Sequence, residues 1–298
     1  MFRSSPTRCT GIHVAANGIY AVELSRRKQS VSLSRCAAVP VAASLSLPDA
    51  LADHDGRASL VQALRLLHGD GFDVERPYFA LSGAGVFIKR RFVLARDKGM
   101  TREQLLWEAE QLLAEDIDDY VVDTLARRHH GFFIAARRQI LDLYGVLCRE
   151  AGMGRPGFDM SSFALCNALE SCGVGGEGIE IVLQEDGEIM RAVLLRDGEY
   201  EGESVWSQQE KGPATGLGLL CNAELDQGEV AHRLWVVGSG DAGGAVDLGE
   251  FADEVGDLNP FVGLTVSEMA KETLASSDVP ARAYVVAAGL AFRGLADA

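Results

Sequence analysis

The chain has no run of about 18 apolar residues, the length a helix needs to cross a bilayer. Its nearest approach, Ala283 to Ala298, is shorter and is broken by Arg293 and Asp297. Positive charge is scarce: the net charge of −15 argues against sequence-independent nucleic-acid binding, which needs clustered Lys and Arg to displace counterions. The short clusters Arg26-Arg27-Lys28, Lys89-Arg90-Arg91 and Arg127-Arg128-His129-His130 read as solvated turns or strand edges in an acidic background. Cys9, Cys36, Cys148, Cys166, Cys172 and Cys221 form no CxxC pair and have no His at zinc spacing, which fits a reducing compartment and leaves no legible metal site. There is no G-x-S-x-G and no GxxxxGK[ST], so serine-hydrolase and P-loop readings find no support. The opening MFRSSPTRCT lacks the apolar core of a secretory signal, and a cytoplasmic location is expected.

What is present is enough chain for two lobes. At 298 residues it exceeds one domain on the prior of roughly 100–200 residues each. The stretch Gly11 to Leu24 reads as two strands joined by a tight turn, with Asn17-Gly18 supplying the positive-φ pair. Val31 to Val41 alternates as a half-buried strand. A helix with Ser59 as its N-cap follows, then an extended segment from Tyr78 to Leu94 with a kink at Gly83-Ala84-Gly85. Thr101 with Gln104 makes a capping box for a helix that ends at the acidic run from Glu115 to Asp119. Val121 to Leu125 and Gly131 to Ala136 are strands, and Gln139 to Ala151 is an amphipathic helix closed by Gly152. A short strand at Phe158 to Met160 and a helix from Ser161 to Glu170 lead to a glycine-rich hinge at Gly173 to Gly178. Beyond it lie strands at Ile179 to Leu183 and Ile189 to Leu195, and a loose stretch from Ser207 to Gly218. A buried-type strand then runs from Leu234 into Gly238-Ser239-Gly240, and the chain closes with a strand at Ala283 to Val286 and a helix-like tail.

In their order and spacing four segments resemble the PilM family: GIHVAANGIYAVELS from Gly11; LSGAGVFIKRRFVL from Leu81 followed by WEAEQLL from Trp107; Phe133 to Glu170; and VAAGLAFRGL from Val286. PilM proteins are actin-like cytoplasmic proteins of type IV pilus assembly, related to the cytoplasmic region of type II secretion GspL and to the pilus biogenesis protein MshI. The resemblance implies an α/β, two-lobed actin-like ATPase (ribonuclease H-like) fold with a reduced second lobe. Residues 1–172 and 283–298 would form the first lobe, including a small inserted subdomain at about 76–136, and residues 173–282 an abbreviated second lobe.

Against the family pattern G-I-D-I-G-S-x-x-x-K-A-V-E-L, this chain has His13 for Asp, Ala15 for the second Gly, Ala16 for the small hydroxyl residue and Tyr20 for Lys. No acid is left to hold a metal and no cation to meet a phosphate. The second phosphate hairpin, D-I-G-A in the family, falls at Gln184-Glu185-Asp186-Gly187, where two extra carboxylates would repel a triphosphate. The adenosine-type motif survives as Val237-Gly238-Ser239-Gly240. Ala15, Asn17, Gly18, Gly238 and Gly240 are therefore the cofactor-binding candidates; no catalytic or metal residue is assigned, and ATP is the one cofactor the fold suggests.

His13 reads either as a cleft base or ligand, or as a core histidine with a satisfied hydrogen bond. By resemblance the chain is an assembly scaffold with degenerate nucleotide-binding motifs. Its expected partner is a PilN-like inner-membrane protein, received through that protein's cytoplasmic N-terminal segment, with the assembly ATPase or platform protein as further partners. Such a role would hold it peripherally at the inner membrane. Trp107 and the acidic face of its helix offer a docking surface, and an edge strand between Tyr78 and Leu94 would suit strand addition. The alternative is an active actin-like ATPase or kinase-like enzyme using the interlobe cleft.

Overall fold

The computed structural model describes residues 7–41, 54–83, 86–92, 102–113, 116–126, 130–240 and 247–298. The expected Thr101 cap, the Ala84-Gly85 part of the kink, Glu115, and Arg127 to His129 lie outside the described residues.

The chain opens with an antiparallel meander of β1 (Thr7–Ala15), β2 (Gly18–Arg27) and β3 (Ser30–Pro40). The first turn is Ala16-Asn17 rather than Asn17-Gly18: neither residue has a positive φ, and Gly18 already pairs with Ala15. Glycine serves there for proximity, because a Cβ would stand 2.7 Å from the carbonyl oxygen of Val39 on β3. Helix α1 (His54–Gly69) buries Leu60, Val61, Leu64 and Leu67 and starts a turn before Ser59, which is a helical residue and not the cap. It carries the chain over to β4 (Tyr78–Leu81), which lies parallel to β1 as a helical crossover requires.

Next come β5 (Val86–Phe92), α2 (Arg102–Glu110), β6 (Tyr120–Ala126) and β7 (His130–Arg137), the strands forming an antiparallel sheet in the order β5-β7-β6. Helix α3 (Arg138–Ala151) follows and stops at Gly152, φ +75°. β8 (Gly157–Met160) and α4 (Ser161–Cys172) lead to β9 (Ile179–Asp186), β10 (Ile189–Arg196) and β11 (Glu199–Ser207). Helix α5 (Pro213–Glu224) takes up the second half of the stretch expected to be loose, and β12 (Ala231–Gly238) and β13 (Ala252–Asp257) complete this part. The chain ends with β14 (Thr265–Val266), α6 (Glu268–Ser276) and α7 (Val285–Ala296). The strand expected at Ala283 to Val286 is instead a 3₁₀ turn running into α7: these apolar residues are buried on a helix, where a short apolar run looks the same in sequence.

Two sheets repeat one plan. The first runs β14-β3-β2-β1-β4-β8 and the second β11-β10-β9-β12-β13, so a three-strand meander, a helical crossover and a parallel return strand occur twice. β14 returns to β3, which puts Thr265 and Val266 on the first sheet rather than with residues 173–282. In the second lobe a single described helix, α5, separates β11 from β12. Its core gathers Ile181, Leu183, Leu194, Trp206, Leu217, Leu220 and Leu234. The first lobe is built on α7, whose residues Val285 to Ala291 are all buried. Gly11 lets that helix lie directly on β1, since a Cβ there would meet the helix backbone at Ala287.

The chain divides into two compact units, Met1–Ala80 with Cys148–Ala298, and Leu81–Leu147. Both larger sheets belong to the first. All six cysteines are free thiols; Cys148 is buried and Cys166 half-buried.

Candidate functional site

Because the two sheets share a plan, each ends a hairpin at the same place, and the two tips meet within the larger unit. The β1–β2 tip is Ala16-Asn17 and the β9–β10 tip is Gly187-Glu188. A Cβ on Gly187 would stand 2.6 Å from Cβ of Ala16, so the tips touch. The Ala16 N–H donates to Asp186 Oδ1 at 2.7 Å. His13 Nε2 lies 3.7 Å from Asp186 Oδ2. Burial pushes the Asp186 carboxyl up, but His13, the Ala16 amide and Arg191 outweigh it and hold the group below its ordinary range. Turn amides of this kind are anion receptors, and here the anion is a side chain of the same molecule.

Around this contact the lobes are tied further. Asn17 Nδ2 donates to Ser239 Oγ at 2.7 Å, and Tyr20 Oη to Asn17 Oδ1 at 3.0 Å. Arg191, itself buried, donates to Ser162 Oγ at 3.0 Å and to Glu203 Oε2 at 2.7 Å, and the Ser162 hydroxyl also meets Glu203. Arg282 pairs with both oxygens of Asp257 at 2.7 Å and donates to the carbonyls of Gly238, at 3.3 Å, and Gly240, at 2.6 Å. The turn after β12 is thereby pinned from the 3₁₀ segment before α7.

Of the five cofactor candidates, Ala15 and Gly18 face each other as the closing pair of the first tip, and Asn17 reaches across to the turn carrying Gly238 and Gly240. A Cβ at Gly238 would strike the Glu185 backbone, and one at Gly240 the Glu185 carboxylate. Both glycines thus admit β9, and the Glu185 side chain fills the space beside Gly240. His13 is buried, and its Nδ1 has no partner among the described residues. Sequence reasoning found the carboxylates at 185 and 186 but not what they meet, nor Arg191 and Arg282. Among the described residues no three His, Cys, Asp or Glu side chains converge as a metal set.

The smaller unit carries the other place singled out. Trp107 on α2 is 63% exposed, whereas Ala109 is buried. Leu112 and Val121 are exposed as well. Exposed Glu103, Glu110, Asp118 and Asp123 lie on the same stretch of chain. Among the described residues β5 and β6 are the two edge strands of their sheet.

The doubled sheet plan with its facing hairpin tips is the actin-like fold, an α/β architecture of several sheets. Among solved structures, the chain is similar to one from a PilM-PilN type IV pilus biogenesis complex, with TM-score 0.74, 18% identity, and 96% of this chain and 98% of that one covered. It is also similar to the cytoplasmic domain of EpsL, an inner-membrane component of the type II secretion system of Vibrio cholerae (TM-score 0.52, 10% identity, 92% and 98% covered). A Bacteroides thetaiotaomicron protein with an actin-like ATPase fold aligns as well (TM-score 0.54, 12% identity, 91% and 96% covered). No protein-family model and no curated protein matches the sequence. No helix among the described residues is long and apolar enough to cross a membrane.

Proposed function

We propose that this chain is a cytoplasmic, PilM-like assembly scaffold of a type IV pilus or type II secretion-like machine that binds the cytoplasmic N-terminal segment of a PilN-like inner-membrane protein and turns over no nucleotide. The observation that carries the reading is the tip contact: the turn amide that would face a phosphate is already bonded to Asp186, and Glu185 fills the space beside Gly240. The fold is kept over the whole chain while the cleft is bonded across, which suits a scaffold better than a catalyst. Partner binding then falls to surfaces outside the cleft. The smaller unit offers an exposed aromatic anchor at Trp107 and two edge strands, the features that peptide docking by apolar anchors or strand addition uses. Through that partner the chain sits at the inner membrane, with the assembly ATPase or platform protein as further contacts.

The test is co-purification with a full-length PilN-like membrane protein in detergent. Retention is expected with the intact partner and not with one lacking its cytoplasmic N-terminal segment. Trp107→Ala should weaken binding about tenfold or more, as loss of an aromatic anchor does. Equal retention of the truncated partner would contradict the proposal.

A further inference from the structure

We infer that the basic turn Arg26-Arg27-Lys28, between β2 and β3, is a docking surface for an anionic lipid bilayer. The inference goes beyond the proposed function and rests on it only for the inner membrane as the bilayer within reach.

The turn lies at the end of β2 remote from the cleft, since that strand begins at Gly18 beside the first tip and ends at Arg27. Arg27 pairs with Ser30, so Lys28 and Gln29 alone make the connection. Arg27 and Lys28 are exposed and Arg26 is half-buried. None of the three has an ion pair or a side-chain hydrogen bond among the described residues. Surface arginines elsewhere in this acidic chain find a carboxylate: Arg57 pairs with Glu150, Arg196 with Glu229, Arg233 with Glu254 and Arg282 with Asp257. Even Arg8, on β1 opposite Ser25, has the buried Glu23 at 4.0 Å.

The backbone is a second observation. Lys28 has φ +59°, and among the described residues the one other non-glycine with a positive φ is Asp197, at +53°. The doubled sheet plan makes these positions equivalent, because Asp197-Gly198 joins β10 to β11 as Lys28-Gln29 joins β2 to β3. Asp-Gly is what a two-residue hairpin turn prefers, and Asp197 Oδ1 also accepts from the Gly178 N–H at 2.8 Å. The first turn holds a lysine in the same left-handed region, which disfavours an L side chain, and its ammonium makes no bond that offsets the strain. Turn formation does not explain this lysine, whereas a contact outside the chain does.

The shape and charge of the turn select the ligand. A two-residue turn is a convex tip without walls to close round a peptide, so adjacent unpaired cations suit an extended anionic surface. Each Lys or Arg near such a surface raises partition about fivefold. The chain as a whole carries −15 and is repelled, so the contact is made end-on, with the cleft directed away from the lipid. Three charges alone hold weakly, which is enough to orient a chain that a membrane protein already keeps there.

The experiment is co-sedimentation of the full chain with vesicles of equal parts phosphatidylglycerol and phosphatidylcholine, and with vesicles of phosphatidylcholine alone, at low ionic strength. The wild type should prefer the anionic vesicles about tenfold or more, and the preference should vanish in about 1 M salt, where the Debye length is about 3 Å. Lys28→Gly should weaken it about fivefold yet melt at or above the wild-type temperature, because glycine takes a positive φ without strain. Replacing all three residues, as Arg26→Ser, Arg27→Ser and Lys28→Gly together, should abolish it. Lys211→Ser, which removes an exposed lysine before α5, should leave it unchanged. Equal binding of the wild type to both vesicles would overturn the inference and leave the scaffold reading standing. A loss with Lys211→Ser as large as with Lys28→Gly would also overturn it, since net charge rather than the turn would then set the partition. In detergent the triple variant should co-purify with a PilN-like protein as the wild type does; failure there would assign the turn to a partner protein and overturn the lipid. Vesicle binding by a wild type that co-purifies with no such protein would sink the proposed partner and keep this inference.

Discussion

Asp159 carries the clearest titration among the single residues. Its carboxylate accepts from the Met160 N–H at 2.8 Å and from Asn167 Nδ2 at 3.0 Å. Burial nonetheless raises it from 3.8 to about 6, with the Met160 amide, Arg293 and Asn167 only partly offsetting that rise. The folded chain therefore holds this proton more tightly than the unfolded chain does. Stability contributed by the protonated group is present at low pH and is lost as pH rises from about 3.8 to about 6, so the penalty is complete at neutrality and amounts to up to about 3 kcal/mol. Asp159→Asn should remove it. Denaturant unfolding of both proteins should show the variant gaining on the wild type as pH rises through that window, with a constant difference above it; a pH-independent difference would refute the assignment. At this scale the sequence singled out His13 as an oddity, because an imidazole stands where the pattern it resembles has a carboxylate. Its partner lies at position 186, and no local pattern joins residues so far apart.

Among the elements, α7 depends most on what its residues lack. A Cβ at Gly289 would run into the backbone carbonyl of Ala164 on α4, and one at Gly294 into Sγ of Cys9 on β1. Backbone cannot step aside as a flexible side chain can, so Gly289→Ala should cost about 3 kcal/mol despite the better helix propensity of alanine. Chemical denaturation checks this, and a neutral or stabilising result would mean that the two helices do not pack at backbone contact. The same compactness explains where sequence reasoning failed. α5 contains Gly216 and Gly218 and reads as loose on propensity, yet Gly216 is where the Trp206 ring lies against the helix. The run from Ala283 to Val286 is apolar throughout, so it shows neither the strand nor the helix period, and burial on every side is what made it ambiguous. The amphipathic α3 and the half-buried β3 were legible because each has one wet face, whereas β1 and β2, buried over most of their length, were legible from their strand-forming residues and the turn between them.

For the whole molecule, the question is what a ligand in the cleft could change. A ligand shifts a conformational equilibrium only by its difference in affinity for the two states. In the larger unit the closed arrangement is held from within: Asp186 on Ala16, Asn17 on Ser239, and the buried cluster of Arg191, Ser162 and Glu203. On the proposed reading closure needs no nucleotide, since a phosphate at the first tip would have to displace Asp186 from the Ala16 amide. If the proposed function holds, affinity for a PilN-like membrane protein should be the same with ATP and magnesium, with ADP, and with neither. Titration of the purified chain with the partner's cytoplasmic segment under the three conditions tests this. Dissociation constants agreeing within about twofold are expected; a tenfold difference, equivalent to about 1.4 kcal/mol of coupling, would show that the cleft still gates assembly and that the internal bonds are weaker than the geometry implies.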